Sequence, residues 1–372
     1  MKKSFGIDTR IRTEKGDYLV ETYAAPHEEK VISEVFLEGK IIEIKEVPYE
    51  AKISEAGIIK LIQKLQNSVI SDLSNLFNLD EAMRRKATAD GMYKIGMLFF
   101  RRKLIDRAKL SYEECIALDP YYADAYRDLS RIMTLDENFG MAEDYIRKAL
   151  RIRPERADYH FQLGRIFFEQ KKNTEAERQF SKALVLNSDY AEAYFYHALA
   201  LLREVVDANG NAADERILTA KVDLKNASIV DDRFREKSFN EAYAKIEAGA
   251  IKEATAMFYD FSTKFMEIDV HDVIAEFSLF AKYSKKRISL LTVDEYINNI
   301  LSLLEEHPEY ADLHNTLGKA YILKVRALLN SATLQFQKAL EINPEYEDAE
   351  RNLQLVVNEG KGILLLLRAI LK

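Results

Sequence analysis

Residues 90–202 run from DGMYKIGMLFF (90–100) through RAKLSYEECIALDP (107–120) to AYFYHALALL (193–202), and one pattern recurs along them in register. Ala108, Ala142 and Ala176 stand 34 residues apart, as do Tyr112, Ile146 and Phe180. Cys115, Ala149 and Ala183 keep the same step, and so do Pro120, Pro154 and Ser188. Gly96 and Gly164 are two steps apart with Ser130 between them and Ala198 after. A fixed step of this length, with small and large apolar residues at set offsets, is the mark of a repeated helix pair. Small residues let two antiparallel helices approach, and large ones fill the gaps between them. A proline or polar residue then ends the second helix before the next unit begins.

The pattern resembles that of tetratricopeptide-repeat (TPR) proteins. The first unit offers Met92, Ile95, Gly96, Phe99, Ala108, Tyr112, Cys115 and Pro120. The second offers Tyr126, Leu129, Ser130, Met133, Ala142, Ile146, Ala149 and Pro154, and the third His160, Leu163, Gly164, Phe167, Ala176, Phe180, Ala183 and Ser188. A fourth unit opens with Tyr194, His197, Ala198 and Leu201, and its second helix resumes late at Ala220, Leu224 and Ala227 after an insertion near 206–215. Degenerate fifth and sixth units follow. A clearer seventh carries Leu317, Gly318, Tyr321, Ala332, Phe336, Ala339 and Pro344, and an eighth first helix runs over 346–357. The resemblance implies a mainly α fold, a TPR-like right-handed α-solenoid, over residues 89–358.

Outside that span the period changes. Val20, Tyr23, Val31, Val35, Phe36, Ile42, Ile44 and Val47 fall in short runs broken by Lys15-Gly16-Asp17 and Glu38-Gly39, so residues 1–50 read as a small N-terminal antiparallel β-sheet domain. About 45 residues of sheet need helices to pack on. Residues 51–88 read as two linking helices, Ile53–Leu65 and Val69–Phe77, and 359–372 as a C-terminal apolar helix. The layout of sheet plus repeats is similar to that of uncharacterised bacterial members of the family.

Composition narrows the function. Hydrophobic residues make up 48% and charged ones 31%, enough for both a core and a solvated face. A net charge of −7 argues against nucleic acid as a partner, because phosphates call for a basic surface. One cysteine excludes an internal disulfide, and no apolar run is long enough to span a bilayer. The N-terminus has no apolar signal region, and the expected location is the cytoplasm. Asp207, Asn209, Gly210, Asn211 and Asp214 suggest a calcium loop. However, the glycine is misplaced and Leu218 stands where an EF-hand needs its bidentate Glu, so a solvated loop is expected. Asp269, His271 and Asp272 read as a helix cap and its neighbours. The sequence holds no HExxH, phosphate-binding loop or nucleophile elbow, and neither an enzyme nor a cofactor is expected.

What the resemblance implies is a binding face on the first helix of each unit. Those places hold Tyr93, Met97, Phe100 and Arg101, then Arg127 and Arg131, then Phe161, Arg165 and Phe168, then Phe195, Leu199, Leu202 and Arg203. Aromatics interleaved with arginines suit another protein or peptide offering apolar and acidic residues. The expected function is therefore a non-enzymatic interaction scaffold. The alternative is a structural subunit that self-assembles through the sheet edge and the apolar C-terminal helix, where Ile363, Leu364, Leu366, Leu367 and Ile370 would meet a second copy.

Overall fold

The computed structural model describes residues 6–13, 16–50, 52–208, 214–262, 277–278, 281, 290–306 and 308–370. The side chains of 13, 291, 292, 295, 306, 364, 367, 368 and 370 lie outside the described set. Asn209, Gly210, Asn211, Asp269, His271 and Asp272 are likewise outside the described residues. The chain divides into two compact units. One comprises Met1–Ala87, Met97–Leu104 and Ile268–Lys372, the other Thr88–Gly96 and Ile105–Glu267.

In the first unit, β1 (Gly6–Thr13), β2 (Gly16–Ala25), β3 (Lys30–Leu37) and β4 (Lys40–Pro48) form an antiparallel meander in sequence order. Glu38 and Gly39 both take positive φ, 51° and 80°, which gives the tight β3–β4 turn the twist its strands need. Tyr18, Val20, Thr22 and Ala24 of β2 and Val31, Ser33 and Val35 of β3 are buried. They form the sheet face that packs on α1 (Glu55–Arg84). The linking segment is one 30-residue helix rather than two. Its inward row, Ile62, Leu65, Val69, Leu73, Leu76 and Leu79, keeps helical spacing straight through Gln66-Asn67-Ser68. Gln66 is accommodated because its amide donates to the Val20 carbonyl at 3.1 Å and its oxygen accepts from Thr22.

The second unit is a series of antiparallel helix pairs. α2 (Ala89–Arg101), whose residues from Met97 onward fall in the first unit, is followed by α3 (Ile105–Leu118), α4 (Ala123–Leu135) by α5 (Phe139–Ile152), and α6 (Ala157–Glu169) by α7 (Asn173–Leu186). α8 (Ala191–Asp207) and α9 (Glu215–Val230) come next, then α10 (Lys237–Glu247) and α11 (Ile251–Ser262). The 34-residue recurrence is the packing rule. Ala108, Tyr112 and Cys115, Ala142, Ile146 and Ala149, and Ala176, Phe180 and Ala183 are all buried. A Cβ on Gly96 would stand 2.6 Å from the Tyr112 ring, and one on Gly164 would stand 2.6 Å from Phe180. The turn between the paired helices is also repeated, with Lys103, Glu137 and Lys171 at φ 55°, 56° and 61°.

Returning to the first unit, α12 (Leu290–Glu306), α13 (Ala311–Ile342) and α14 (Glu347–Ile370) close the chain. Val293, Ile297, Ile300, Leu313, Ala320 and Leu323 share a core with Phe277 and Ala281. The sequence pattern of a seventh helix pair is corrected here, since α13 is one helix of 32 residues. Gly318 and Phe336 therefore lie on the same rod, and a Cβ on Gly318 would meet nothing within 4 Å. α14 likewise runs unbroken through Gly360 and Gly362, where the sequence suggested a break.

Candidate functional site

The first helices α2, α4, α6 and α8 carry the groove side chains singled out from sequence, and repeat symmetry shows how several are held. Tyr93 packs on Tyr112 and Tyr122 with ring centroids 5.7 and 4.9 Å away. Two repeats later Phe161 packs on Phe180 and Tyr190 at 5.6 and 4.9 Å. In the repeat between them the same places hold Arg127, Ile146 and Arg156, and ions replace the rings.

Arg127 donates to Asp128 at 2.9 and 3.0 Å, to Asp158 at 2.8 Å and to the Tyr93 hydroxyl at 3.0 Å. Burial alone would lower the Arg127 pKa, but Asp128, Tyr93 and Asp158 raise it well above its ordinary value. Asp128 and Asp158 are each pushed up by burial and brought net down by the arginines beside them. Arg156 also donates to Asp158 at 2.9 and 3.0 Å, and the Tyr159 hydroxyl donates to Asp124 at 2.8 Å. Arg127 is thus a clamp between α4 and α6, its charge already matched.

The other arginines differ. Arg131 has 47% of its side chain exposed and lies 3.4 Å from Asp128. The Arg165 guanidinium lies 4.1 Å from the Tyr196 ring centroid, with 29% of the side chain exposed and Glu169 3.5 Å away. Arg203 lies over Phe168 at 4.2 Å and donates to the Phe168 carbonyl at 2.8 Å. Phe161 is half-buried. Tyr93, Phe168, Phe195, Leu199 and Leu202 sit inside the packing rather than on an open surface. For Phe195 the reason is visible: Phe234, Phe261 and Phe258 approach its ring at 5.4, 5.7 and 5.9 Å, as α11 packs against α8. Met97, Phe100 and Arg101 are half-buried and belong to the first unit, as does the C-terminal set. Of that set, Ile363 packs against the α12–α13 core and Leu366 is exposed, while the side chains of Leu364, Leu367 and Ile370 lie outside the described residues.

One constellation has no signal in the sequence, because its members come from three helices. His197 on α8 is hydrogen-bonded through Nε2 to Ser181 Oγ on α7 at 2.9 Å, and through Nδ1 to Asp223 on α9 at 2.7 Å. Acyl transfer would further require donors around an oxyanion. Ser181 stands in the body of α7, where backbone N–H groups donate within the helix. The chain of hydrogen bonds ties three helices together. His160 and His314 each reach a proline carbonyl six residues back, Pro154 at 3.1 Å and Pro308 at 2.9 Å, a capping role shared by two distant units. Cys115 is buried, and desolvation pushes its thiol up to about 12, which keeps it protonated. Among the described residues no group of three or more His, Cys, Asp and Glu could hold a metal ion, and no helix is long and apolar enough to cross a membrane.

The tetratricopeptide repeat family model matches residues 89–122. The chain is 22% identical over 277 residues to tetratricopeptide repeat protein 37 of Xenopus laevis. That alignment covers 71% of this chain and 16% of the relative's length. Among solved structures, the chain is similar to pilF of Pseudomonas aeruginosa, at 17% identity over 63% of this chain and 96% of that one, with a TM-score of 0.38. It is also similar to YrrB, described as a TPR protein with an unusual peptide-binding site, at 19% identity over 52% and 94% with a TM-score of 0.35.

Proposed function

From a chain that carries tetratricopeptide repeats, a fold that generally mediates protein–protein interaction, we propose a scaffold that holds a partner segment against the first helices of the second unit. The observation that carries the proposal is the pair Arg131 and Arg165, one repeat apart and both partly exposed. Arg165 is held over the Tyr196 ring, 4.1 Å from its centroid, so little side-chain freedom is left to lose when a carboxylate docks on it. Phe161 beside them offers half-buried apolar surface, and Arg203 closes the row over Phe168. Arg127 is the clamp behind this face, and the buried Tyr93, Phe195, Leu199 and Leu202 set its shape. The partner suited to this surface is a peptide with alternating apolar and acidic residues.

The test is selection of peptides from a random display library on the full chain and on an Arg131→Glu, Arg165→Glu variant. Peptides rich in Asp and Glu should be recovered with the parent chain and lost with the variant, and their binding should weaken as salt rises. Recovery of the same peptides by both proteins, or affinity indifferent to salt, rejects the face.

A further inference from the structure

α14 carries two rows of residues at the alternating three- and four-residue spacing that makes helices pack along a seam. The inner row, Ala349, Leu353, Val356, Gly360 and Ile363, is buried or half-buried, on a helix packed against α13. An outer row, Leu355, Glu359, Gly362, Leu366 and Ala369, is exposed along its whole length. Leu355 is 57% and Leu366 47% exposed, and a Cβ on Gly362 would meet nothing within 4 Å. Solvent alone gives no reason for exposed leucines on either side of a glycine in a seam-spaced row.

That row is complementary to itself when reversed. If two copies of α14 run antiparallel about a two-fold axis between Glu359 and Gly362, Leu355 of one copy falls opposite Leu366 of the other. The same operation sets Glu359 opposite Gly362, where the missing side chain leaves room for the glutamate stem. Each contact occurs twice, as an isologous interface requires. Charge selects the same direction: the first turn carries Glu347, Asp348 and Glu350, and the sequence well beyond the axis carries Arg368 and Lys372. A parallel pairing would instead set acid on acid and Glu359 against Glu359 within the seam, at a cost in repulsion. We propose that the outer row of α14 is a self-association surface that joins two copies of this chain as an antiparallel pair. This goes beyond the partner-binding face on the second unit and is independent of it.

Two measurements on the full chain test the proposal. Sedimentation over a concentration series should show mass rising to twice that of one chain. Leu355→Lys should weaken that association about a hundredfold, because each change enters the interface twice. Leu355 is exposed, so the variant's circular dichroism should match the parent's. The register is read by cysteine cross-linking, since the natural Cys115 is buried. A mixture of Leu355→Cys and Leu366→Cys chains should form a covalent dimer on mild oxidation, and neither variant should do so alone. The two positions are about 16 Å apart along one helix, too far to join within a chain or to a like position across the axis. A monomer at every concentration, a dimer indifferent to Leu355→Lys, or a single variant that cross-links as readily as the mixture overturns the proposal.

Discussion

Residues 89–186 and residues 311–342 carry the same sequence pattern and fold differently. In the first stretch Gly96 lies under Tyr112 and Gly164 under Phe180, aromatics of the returning helices. In the second, Gly318 and Phe336 stand two residues further apart than their counterparts in those repeats, and the helix never returns. The difference lies seven residues after the glycine. Lys103 and Lys171 stand there in the repeats, as does Glu137 after Ser130, and all three adopt the left-handed conformation that turns the chain back. At the same offset after Gly318 stands Val325, and a β-branched residue is a severe outlier at positive φ. The helix continues instead. α8 behaves in the same way: Val205 follows Ala198 at that offset, and the helix runs on to Asp207, so part of the insertion is helix rather than loop. The lesson is that apolar period decides which residues face inward, whereas one backbone conformation decides where the first helix of a pair ends.

The largest test of this contrast uses the glycines. Gly164→Ala drives a Cβ into the Phe180 ring and should cost about 2–3 kcal/mol. Gly318→Ala meets open space in mid-helix and should gain about 1 kcal/mol. Denaturant dependence of hydrogen exchange, read separately in peptides from α6–α7 and from α13, checks both signs. If both substitutions destabilise, Gly318 is packed as Gly164 is and the contrast fails.

A second test addresses the turn itself. Lys171→Val forces a β-branched residue into φ 61° and should destabilise α6–α7 by about 1–2 kcal/mol, while Lys171→Gly should be neutral or stabilising by about 0.5 kcal/mol. The same exchange readout checks it. A valine as stable as the lysine would mean that the turn tolerates β-branching, and that α13 is continuous for another reason.

How far the sequence carried the reading follows from the same physics. Ala108, Tyr112, Cys115 and their equivalents were legible because burial repeats with the period. An antiparallel sheet of three or four strands was legible through β-favouring runs and the Glu38-Gly39 turn. The continuity of α1 was hidden because Gln66 reads as a break until its partners Thr22 and Val20, more than forty residues earlier, are known. At the candidate face, the residue types were legible but their exposure was not. Phe195 occupies a wall position by offset, yet it is enclosed by Phe234 and Phe261 from degenerate units whose packing the pattern does not specify. Arg127 looked equivalent to Arg131 and Arg165. The sign that it is a clamp was Arg156, which stands where the neighbouring repeats carry Tyr122 and Tyr190.

That clamp separates the two regions by pH, with the smallest expected effect. In the second unit the half-buried Asp158 bridges to Arg127 of the preceding repeat, whereas the pair Arg351–Asp348 in α14 is local and exposed. Asp128 and Asp158 titrate below the usual carboxylate range when folded. Their contribution is therefore complete above about pH 4–5 and is lost as pH falls through the unfolded value near 3.9 and below. Exchange protection in α4 and α6 should fall before that in α13 as pH drops from about 6 to about 3. Asp158→Asn should remove about 1 kcal/mol of stability at neutral pH and flatten the acid dependence. If α13 loses protection first, or if Asp158→Asn leaves the acid slope of α4–α6 unchanged, the ionic repeat does not join its neighbours through charge. The aromatic and ionic units would then be held by apolar packing alone.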